Sequence, residues 1–369
     1  MAGVVYDGLP MLPTLITDLR IEPLDLALTE PFAIATGAPD MANNVLLRLK
    51  LADGTVGLGE SAPLTAVSGE TQASTLAAIE SVREALLGRD ARAWRPIGTW
   101  LGEALPGAPS ARCGIELALL DALGRHYRMP LFSFFGGSGT GLDIDMTVTA
   151  GDEAHAASSA RSIVARGIRT LKVKVGARSA EEDVRRMVAI RREAPGARLF
   201  ADANGGYTVA QARTFLVGLE AADIPLALFE QPVPREDWEG MAELTRSSRV
   251  PICADESART AKDVLRLARE GGAHGVNLKL MKSGVVESLA MWNLARASGM
   301  ELMMGGMVES TLAMSSAAHF AAGLGGFDYA DLDTHLFIRE HSFRGGLRMQ
   351  DGGRIDIGHV QAGHGVDLG

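Results

Sequence analysis

Cysteine is almost missing from this sequence, which excludes the kinds of protein that depend on it. Its two cysteines, Cys113 and Cys253, lie far apart and form no pair with the spacing of metal ligands. Small disulfide-stabilised domains and structural zinc sites need several cysteines at short spacing. We therefore expect both residues to be small, buried and apolar in character, in a reducing compartment.

Excess positive charge and long apolar runs are also missing. Lys and Arg number 36 against 45 Asp and Glu, which gives a formal net charge of −9, so we expect neither a nucleic acid nor a membrane as a partner. The apolar runs all fall short of the roughly 20 residues that span a bilayer. Residues 1–21 lack the basic cluster and apolar stretch of a signal peptide. These absences predict a cytoplasmic protein.

The length of the chain suits two domains. Its 369 residues exceed one ordinary core and match a barrel of roughly 200–250 residues with a smaller partner domain. The first part shows strand patterns with a hairpin turn at Asp53-Gly54, followed by helical periodicity. Its predicted strands are residues 15–27, 44–51 and 55–59, and its predicted helices are residues 71–87 and 111–127.

A glycine-rich segment, Gly136-Gly-Ser-Gly-Thr-Gly141, follows this first part. A loop of this kind cradles phosphate groups when it carries a Lys-Ser/Thr pair and opens a helix. This segment has no such pair and leads into a strand pattern. We interpret it as a linker between two domains.

Beyond the linker, short apolar runs alternate with amphipathic helices, one of which begins with a capping pair, Ser179 and Glu182. Eight strands separated by helices predict an α/β fold with a parallel barrel. The glycine-rich tail from residue 341 returns to a β pattern, and we expect it to rejoin the N-terminal domain. The eight strands are predicted at residues 142–149, 170–175, 198–203, 227–230, 251–254, 275–280, 301–304 and 329–332.

Charged residues stand where several of these apolar strands end, which is the end of a barrel where chemistry is placed. Lys172 and Lys174 are two residues apart on one strand and therefore share a face. They could be exposed lysines on an edge strand, but their neighbours Leu171, Val173 and Val175 are apolar. We expect both ammonium groups to point into the barrel mouth.

Three carboxylates, Asp202, Glu230 and Asp255, each close an apolar strand at intervals of about one strand–helix unit. One such carboxylate would usually be a helix cap or a solvated loop residue. Three at neighbouring strand ends would repel one another unless a cation joined them. Ligands that are all oxygen favour Mg²⁺ over zinc. The pattern therefore predicts a magnesium site.

Further polar residues close the later strands. Lys279 stands across the barrel from Lys174, and a nearby lysine and a divalent cation would both favour the neutral, basic form of its amine. Lys282 is interpreted as a loop residue. Asp331 and Asp333 share a face of the last strand, where one could cap the following turn or both could bind a substrate ammonium.

These parts suit the removal of a proton from the carbon next to a carboxylate. That removal builds a second negative charge, which Mg²⁺ and Lys172 can neutralise as it forms. Lys174 on one face of the substrate and Lys279 on the other would allow removal on one side and return on the other. Such an enzyme would invert the stereocentre.

The sequence resembles the enolase superfamily, and within it the muconate-lactonizing subgroup, over nearly its whole length. The resemblance lies in Lys172-Val-Lys174, Asp202-Ala-Asn-Gly, Glu230-Gln-Pro, Ala254-Asp-Glu256 and Asn277-Leu-Lys279. It implies a (β/α)7β modified TIM barrel, residues 136–339, with an α+β capping domain formed by residues 1–135 and 340–369. It also implies one Mg²⁺ per subunit on the three carboxylates, with Lys174 and Lys279 as the acid/base pair. We further expect a homo-oligomer.

Within this subgroup, Asp331-Leu-Asp333 is similar to the signature of the dipeptide epimerases, in which the pair holds the substrate's ammonium group. The resemblance also implies that Thr147 and the main chain near Met307 touch the dipeptide. Epimerases that act on Ala-Glu often carry an arginine in the loop after Pro-Phe. Here the loop from residue 30 to 47 has only Glu30 and Asp40 as charges, which predicts an apolar or basic C-terminal residue in the substrate.

Rival functions share the same scaffold. Muconate cycloisomerase, o-succinylbenzoate synthase and N-acylamino acid racemase have no evident use for two anions at the last strand. A mandelate-racemase-like enzyme would need a histidine base after the seventh strand, where residues 303–309 contain none. A non-catalytic metal- or peptide-binding relative would have no use for two bases on opposite faces.

Overall fold

The computed structural model describes residues 12–33, 40–339 and 343–369. Its N-terminal part contains an antiparallel sheet of three strands in the order β1-β2-β3, packed against helices. The strands are β1 (Ile16–Ala27), β2 (Met41–Leu51) and β3 (Val56–Ser61). The helices are α1 (Thr65–Ser68), α2 (Gln72–Leu86), α3 (Trp94–Ala104), α4 (Pro109–His126) and α5 (Leu131–Phe134).

The second part contains a parallel sheet of eight strands in sequential order. Its first strand is joined to its last by a main-chain hydrogen bond of 3.0 Å from Asp145 N to the Ala330 oxygen. The strands are β5 (Met146–Val148), β6 (Thr170–Lys174), β7 (Arg198–Asp202), β8 (Leu228–Glu230), β9 (Ile252–Ala254), β10 (Gly275–Lys279), β11 (Glu301–Gly305) and β12 (Tyr329–Ala330). The predicted parallel barrel fold is confirmed.

Helices alternate with these strands, and their apolar faces pack onto the sheet. The predicted capping box of Ser179 and Glu182 is present at the start of α7. The helices are α6 (Glu153–Ala165), α7 (Ala180–Glu193), α8 (Val209–Ala221), α9 (Trp238–Ser247), α10 (Ala261–Glu270), α11 (Leu280–Ser283), α12 (Val285–Ala297) and α13 (Thr311–Leu324). In the described ranges, none of the helices combines the length and the apolar character needed to cross a bilayer.

One predicted strand, residues 142–149, is in fact two. The short strand β4 (Gly141–Asp143) lies outside the barrel and pairs with β15 (Arg354–Asp356), while only β5 belongs to the parallel sheet. The partner of β4 stands more than two hundred residues later, so local periodicity could not separate the two strands. The glycine-rich segment, residues 136–141, connects α5 to the first residue of β4, where a linker was predicted.

The C-terminal tail adds three further strands, β13 (Phe343–Gly345), β14 (Arg348–Gln350) and β16 (Val366–Leu368). The end of this tail packs on α4, where the buried carboxylate of Asp121 accepts a hydrogen bond from His364 N at 3.0 Å. Gly363 lies so close to α4 that a Cβ atom there would clash with the carboxylate of Asp121, and its φ of 58° also favours glycine. The exact domain limits, 1–135 with 340–369 and 136–339, stay a prediction.

Both cysteines are buried, as predicted. Cys113 lies on α4 and Cys253 on β9. Burial raises the pKa of both thiols well above their usual value. They are therefore neutral, apolar packing residues.

Candidate active site

The parallel register brings the charged strand ends to one rim of the barrel. Lys174 on β6, Asp202 on β7 and Glu230 on β8 are register partners in neighbouring strands. Asp255 directly follows β9, and Lys279 ends β10. All five side chains are almost completely buried. Since the carboxyl ends of parallel strands open at the same face of a barrel, these groups converge at its mouth.

The ammonium group of Lys172 lies at the centre of this cluster. Its Nζ is 2.7 Å from Glu230 Oε2, 3.2 Å from Asp202 Oδ2 and 2.6 Å from Asp331 Oδ2. A fully buried ammonium is stable only when it is paired in this way. Burial would lower the pKa of Lys172, but the three carboxylates outweigh it and hold that pKa well above its usual value.

Each of the two predicted bases contacts a different carboxylate of the cluster. Lys174 Nζ is 2.6 Å from Asp202 Oδ2, and Lys279 Nζ is 2.8 Å from Asp255 Oδ2. Burial alone would raise the pKa of Asp202, yet Lys174 and Lys172 lower it to about 2. The two lysines thus approach the pocket from separate strands, four positions apart in the sheet.

The protonation of Lys279 differs from the sequence-based expectation. Burial lowers its pKa, and so does the charge of Lys172, a nearby lysine as predicted, but Asp255 outweighs both and raises the pKa above the usual value. The prediction assumed a cation on Asp255, which would compensate that carboxylate. Lys279 is therefore an ammonium while Asp255 is its direct partner.

The three predicted ligand carboxylates fit a hard cation by their chemistry. Within the described ranges no three His, Cys, Asp or Glu side chains are already grouped closely enough to hold an ion, because lysine ammonium groups lie between the carboxylates. Glu230 Oε2 and Asp255 Oδ2 are buried and, among the described residues, lack a well-directed hydrogen bond even though lysines lie within 2.8 Å. An all-oxygen set with unsatisfied buried oxygens suits Mg²⁺.

Asp331 and Asp333 lie close together but face different partners. Asp331 lines the same pocket as Lys174 and Lys279, whereas Asp333 is fully buried. Asp333 Oδ2 accepts a hydrogen bond of 2.6 Å from Thr147 N, while Oδ1 has no hydrogen-bond partner within the described residues. Burial and the charge of Asp331 raise the pKa of Asp333 to about 6.

Asp145 is a third carboxylate in this corner, and sequence reasoning missed it. Burial, together with the negative charge of Asp331, raises the pKa of Asp145 well above its usual value. Both of its oxygens are without a hydrogen-bond partner in the described parts of the chain. It stands two residues before Thr147, on the same face of the predicted strand, which was the signal available. The corner is rich in carboxylates, as a site for an ammonium group would be.

The pocket is lined by both polar and apolar residues, and we call the apolar set its upper part. The polar set includes Lys174, Lys279, Asn204, Asp331 and Thr147. The N–H of Met307, whose main chain was predicted to touch the substrate, donates a 2.6 Å hydrogen bond to Glu309 Oε1. The upper part is lined by Phe32, Leu64, Val67, Met307 and Val308.

Lys282 was wrongly interpreted as a loop residue. It lies on α11 and is buried, with its Nζ 2.5 Å from Asp255 Oδ1 and 2.9 Å from the main-chain oxygen of Asn277. The short helix turns it back toward the strand ends, which the sequence pattern alone does not indicate. Asp255 therefore forms ion pairs with two lysines, Lys279 and Lys282.

Comparison with known proteins gives matches over almost the whole chain. A family model described as enolase C-terminal domain-like matches residues 155–369, and the N-terminal domain model of mandelate racemase / muconate lactonizing enzyme matches residues 16–136. An aromatic dipeptide epimerase from Herpetosiphon aurantiacus is 56% identical over 357 residues, which cover 97% of this chain and 100% of the relative.

Solved structures agree with these matches. A mandelate racemase/muconate lactonizing protein from Herpetosiphon aurantiacus has a TM-score of 0.94 and 56% identity, and the match covers 97% of this chain and 99% of that chain. A dipeptide epimerase from Enterococcus faecalis V583, complexed with Mg and the dipeptide L-Leu-L-Tyr, has a TM-score of 0.91 and 32% identity, with 96% and 99% covered.

Proposed function

Because the chain belongs to the mandelate racemase / muconate lactonizing enzyme family of enolase-like proteins, we propose that it is a Mg²⁺-dependent dipeptide epimerase. It inverts the α-carbon of the C-terminal residue of a dipeptide. The observation that carries this proposal is that Lys174 and Lys279 line one pocket together with Asp331. The dipeptide epimerases among its relatives support the same activity.

In the proposed reaction, one lysine with a neutral amine takes the α-proton, and the electrons of the C–H bond move into the carboxylate to form an enediolate. The ammonium of the other lysine then returns a proton to the opposite face of the carbon. After one turnover the two lysines have exchanged protonation states. Inversion requires one base on each side of the α-carbon, held in position before the proton moves.

Asp202, Glu230 and Asp255 would hold Mg²⁺, which supplies positive charge against the substrate carboxylate as negative charge develops there. Lys172 adds a second fixed positive charge on the same side of the site. Preorganised charges of this kind usually make the largest contribution to catalysis. Burial of the cluster keeps water away from the enediolate.

Asp331 and Asp333 are proposed to bind the free ammonium of the dipeptide, beside Thr147. Changing either aspartate to asparagine is expected to lower kcat/KM by the free energy of a charge-assisted bond, roughly 1.5–3 kcal/mol or 10- to 150-fold. N-acetylated dipeptides should be poor substrates of the wild-type enzyme. If free and acetylated dipeptides react equally well, the ammonium site is wrong and an N-acylamino acid racemase becomes the better assignment.

The side chain of the C-terminal residue is proposed to be apolar or aromatic. Phe32, Leu64 and Val67, which line the upper pocket, offer it apolar contacts. A basic side chain is less well supported, because Glu30 and Asp40, the two acidic residues considered for it, are both exposed. Residues 34–39 of this predicted specificity loop lie outside the described part of the structure. The aromatic dipeptide epimerase among the relatives supports an aromatic side chain at this position of the substrate.

Among the described residues, the apolar part of the pocket lining includes no cation that could pair with a glutamate side chain. Arg20 and Arg48, the nearest candidates in the sequence, are ion-paired on the N-terminal sheet with Asp18 and Glu22. A carboxylate buried without a partner costs several kcal/mol. Burial of an apolar side chain instead contributes roughly 1.5–3 kcal/mol.

The specificity is tested by comparing kcat/KM for L-Ala-L-Leu, L-Ala-L-Glu and L-Ala-L-Lys. We expect L-Ala-L-Leu to be favoured by about ten- to hundredfold over the glutamate dipeptide. A clear preference for L-Ala-L-Glu would contradict the proposed side-chain class while leaving the epimerase activity in place.

We also propose that the protein is cytoplasmic and homo-oligomeric. Light scattering of the purified protein tests the proposed oligomeric state.

A further inference from the structure

A buried ion pair connects α7 to the strand that carries Lys174. Asp183 and Arg186 are one turn apart on this helix, and their side chains are only 1% and 2% exposed, with Nη1 and Oδ1 2.7 Å apart. A buried pair of this kind rarely stabilises a fold more than apolar residues of the same shape would. Its position between a barrel helix and the ends of the strands therefore points to a role in geometry.

The guanidinium of Arg186 joins the ends of two strands. Its Nη1 donates to the main-chain oxygen of Lys174 at 2.7 Å, and its Nη2 donates to the main-chain oxygen of Thr149, which follows β5, at 3.0 Å. Because the guanidinium is planar and rigid, the two carbonyl groups are held at a defined separation. A lysine would offer a single nitrogen on a flexible stem in place of this planar fork, and an apolar side chain would offer no donor.

The carboxylate of Asp183 also holds the main chain near Lys174. We call the side chains of Asp183 and Arg186, with their hydrogen bonds to the main chain around Lys174, the bracket. Its Oδ2 accepts hydrogen bonds from Gly176 N at 2.9 Å and from the Tyr207 hydroxyl at 2.6 Å. Gly176 is two residues after Lys174, and Tyr207 lies beyond β7. The main chain is thus fixed at Lys174 by Arg186 and just after it by Asp183.

This bracket serves only one of the two bases. Within the described residues, the hydrogen bonds of Asp183 and Arg186 reach the ends of β5 and β6 and the Tyr207 hydroxyl, and none reaches β10, where Lys279 stands. Lys279 is followed directly by α11, whose Lys282 contacts the main chain of Asn277. The two bases therefore have independent supports.

We propose that Asp183 and Arg186 are positioning residues that hold the main chain of Lys174 and so set one face of the proton transfer. This inference rests on the proposed two-lysine function. A reacting group misplaced by about 1 Å can lose about 10²-fold in rate. Loss of the bracket should therefore slow proton removal by Lys174 and leave proton removal by Lys279 unchanged.

The test is α-proton exchange in D₂O, measured separately from each epimer of one dipeptide substrate. Lys174→Ala first identifies the epimer whose exchange depends on Lys174. Arg186→Met alone would leave the buried charge of Asp183 unpaired, so the main variant is Asp183→Asn with Arg186→Met. Exchange from the Lys174-dependent epimer is expected to fall about 10- to 100-fold, with exchange from the other epimer at the wild-type rate.

Two further variants keep the test decisive. Tyr207→Phe removes only the hydroxyl contact to Asp183, and it should reduce exchange from the same epimer by a smaller factor, even if the double variant does not fold. Arg186→Lys retains the positive charge but replaces the planar fork by a single nitrogen on a flexible stem. We expect its exchange rate from the Lys174-dependent epimer to lie between that of the wild type and that of the double variant.

A matched control exists on α4. There Arg125 pairs with Asp121 at 2.7 Å and also donates to a main-chain oxygen, that of Val366, which lies on β16 in the C-terminal tail and not on a barrel strand. Asp121→Asn with Arg125→Met should lower the thermal midpoint without changing the ratio of the two exchange rates.

The positioning role would be overturned if Asp183→Asn with Arg186→Met slowed exchange from both epimers equally. It would also be overturned if this variant lowered the thermal midpoint but left the ratio of the two exchange rates unchanged. If instead Lys174→Ala itself slows both epimers equally, the two-base function has failed and not the bracket alone.

Discussion

Lys174→Ala and Lys279→Ala are each expected to abolish epimerisation, because each removes one of the two groups that transfer a proton to or from the α-carbon. Proton transfer by a positioned side chain is worth about 10²- to 10⁴-fold in rate, and inversion needs both lysines in every turnover. Polarimetry or chiral chromatography of a dipeptide substrate measures the loss.

Proton exchange in D₂O shows whether the two lysines act on opposite faces. The remaining lysine of each variant is expected to exchange the α-proton of one epimer only, and the two variants should retain opposite epimers. Lys262→Ala, a change at an exposed lysine on α10, is the matched control and should keep wild-type activity. Epimerisation at the wild-type rate in either variant would contradict the two-base assignment.

The convergence of the charged strand ends could be predicted from the sequence for a simple reason. Lys174, Asp202 and Glu230 each end a short apolar run, and one strand–helix unit separates each from the next. In a parallel sheet this repeat places them in register at one edge. The observed register of β6, β7 and β8 brings these three residues side by side.

Other features depend on partners that are distant in the chain, and no local pattern indicates them. The strand β4 pairs with β15, which only the fold brings near it. Lys282 contacts Asp255 because α11 turns it back toward the rim. In each case the tertiary arrangement decides the role.

Contacts between the N-terminal sheet and the barrel were equally hidden in the sequence. The carboxylate of Glu60 on β3 is buried and accepts hydrogen bonds from Asn44 on β2 and from Ser310 at the start of α13. Asn44 also donates to the main-chain oxygen of Val308, which lines the pocket. These bonds join the N-terminal sheet to the segment between β11 and α13 that contains Val308.

Glu230→Gln is expected to abolish Mg²⁺-dependent activity while the fold remains intact. The change removes one of three proposed anionic ligands, and neutral amide oxygens bind Mg²⁺ more weakly than carboxylates do. Activity of the wild type should likewise vanish on chelation by EDTA and return with added Mg²⁺. An enzyme that keeps full turnover after chelation would disprove the metal requirement.

The structure explains why this variant should fold. Glu230 accepts a hydrogen bond from Asn277 Nδ2 at 2.7 Å, and Asn277 Oδ1 has no partner among the described residues. A glutamine at position 230 can donate its amide N–H to that oxygen once the Asn277 amide turns over, while its own oxygen faces Lys172. The ammonium of Lys172 keeps Asp331 and Asp202 as partners, and one buried charge fewer lowers the desolvation cost.

A readout that does not depend on turnover separates loss of the metal from loss of catalysis. A ligand that binds only the folded state raises the thermal midpoint with its concentration, so Mg²⁺ should raise that of the wild type and leave that of Glu230→Gln unchanged. Glu116→Gln is the matched control, because Glu116 is a buried carboxylate that accepts hydrogen bonds at the start of α12, away from the proposed ligands. It should keep the Mg²⁺ response, and a Glu230→Gln variant with the same response would show that Glu230 is not a ligand.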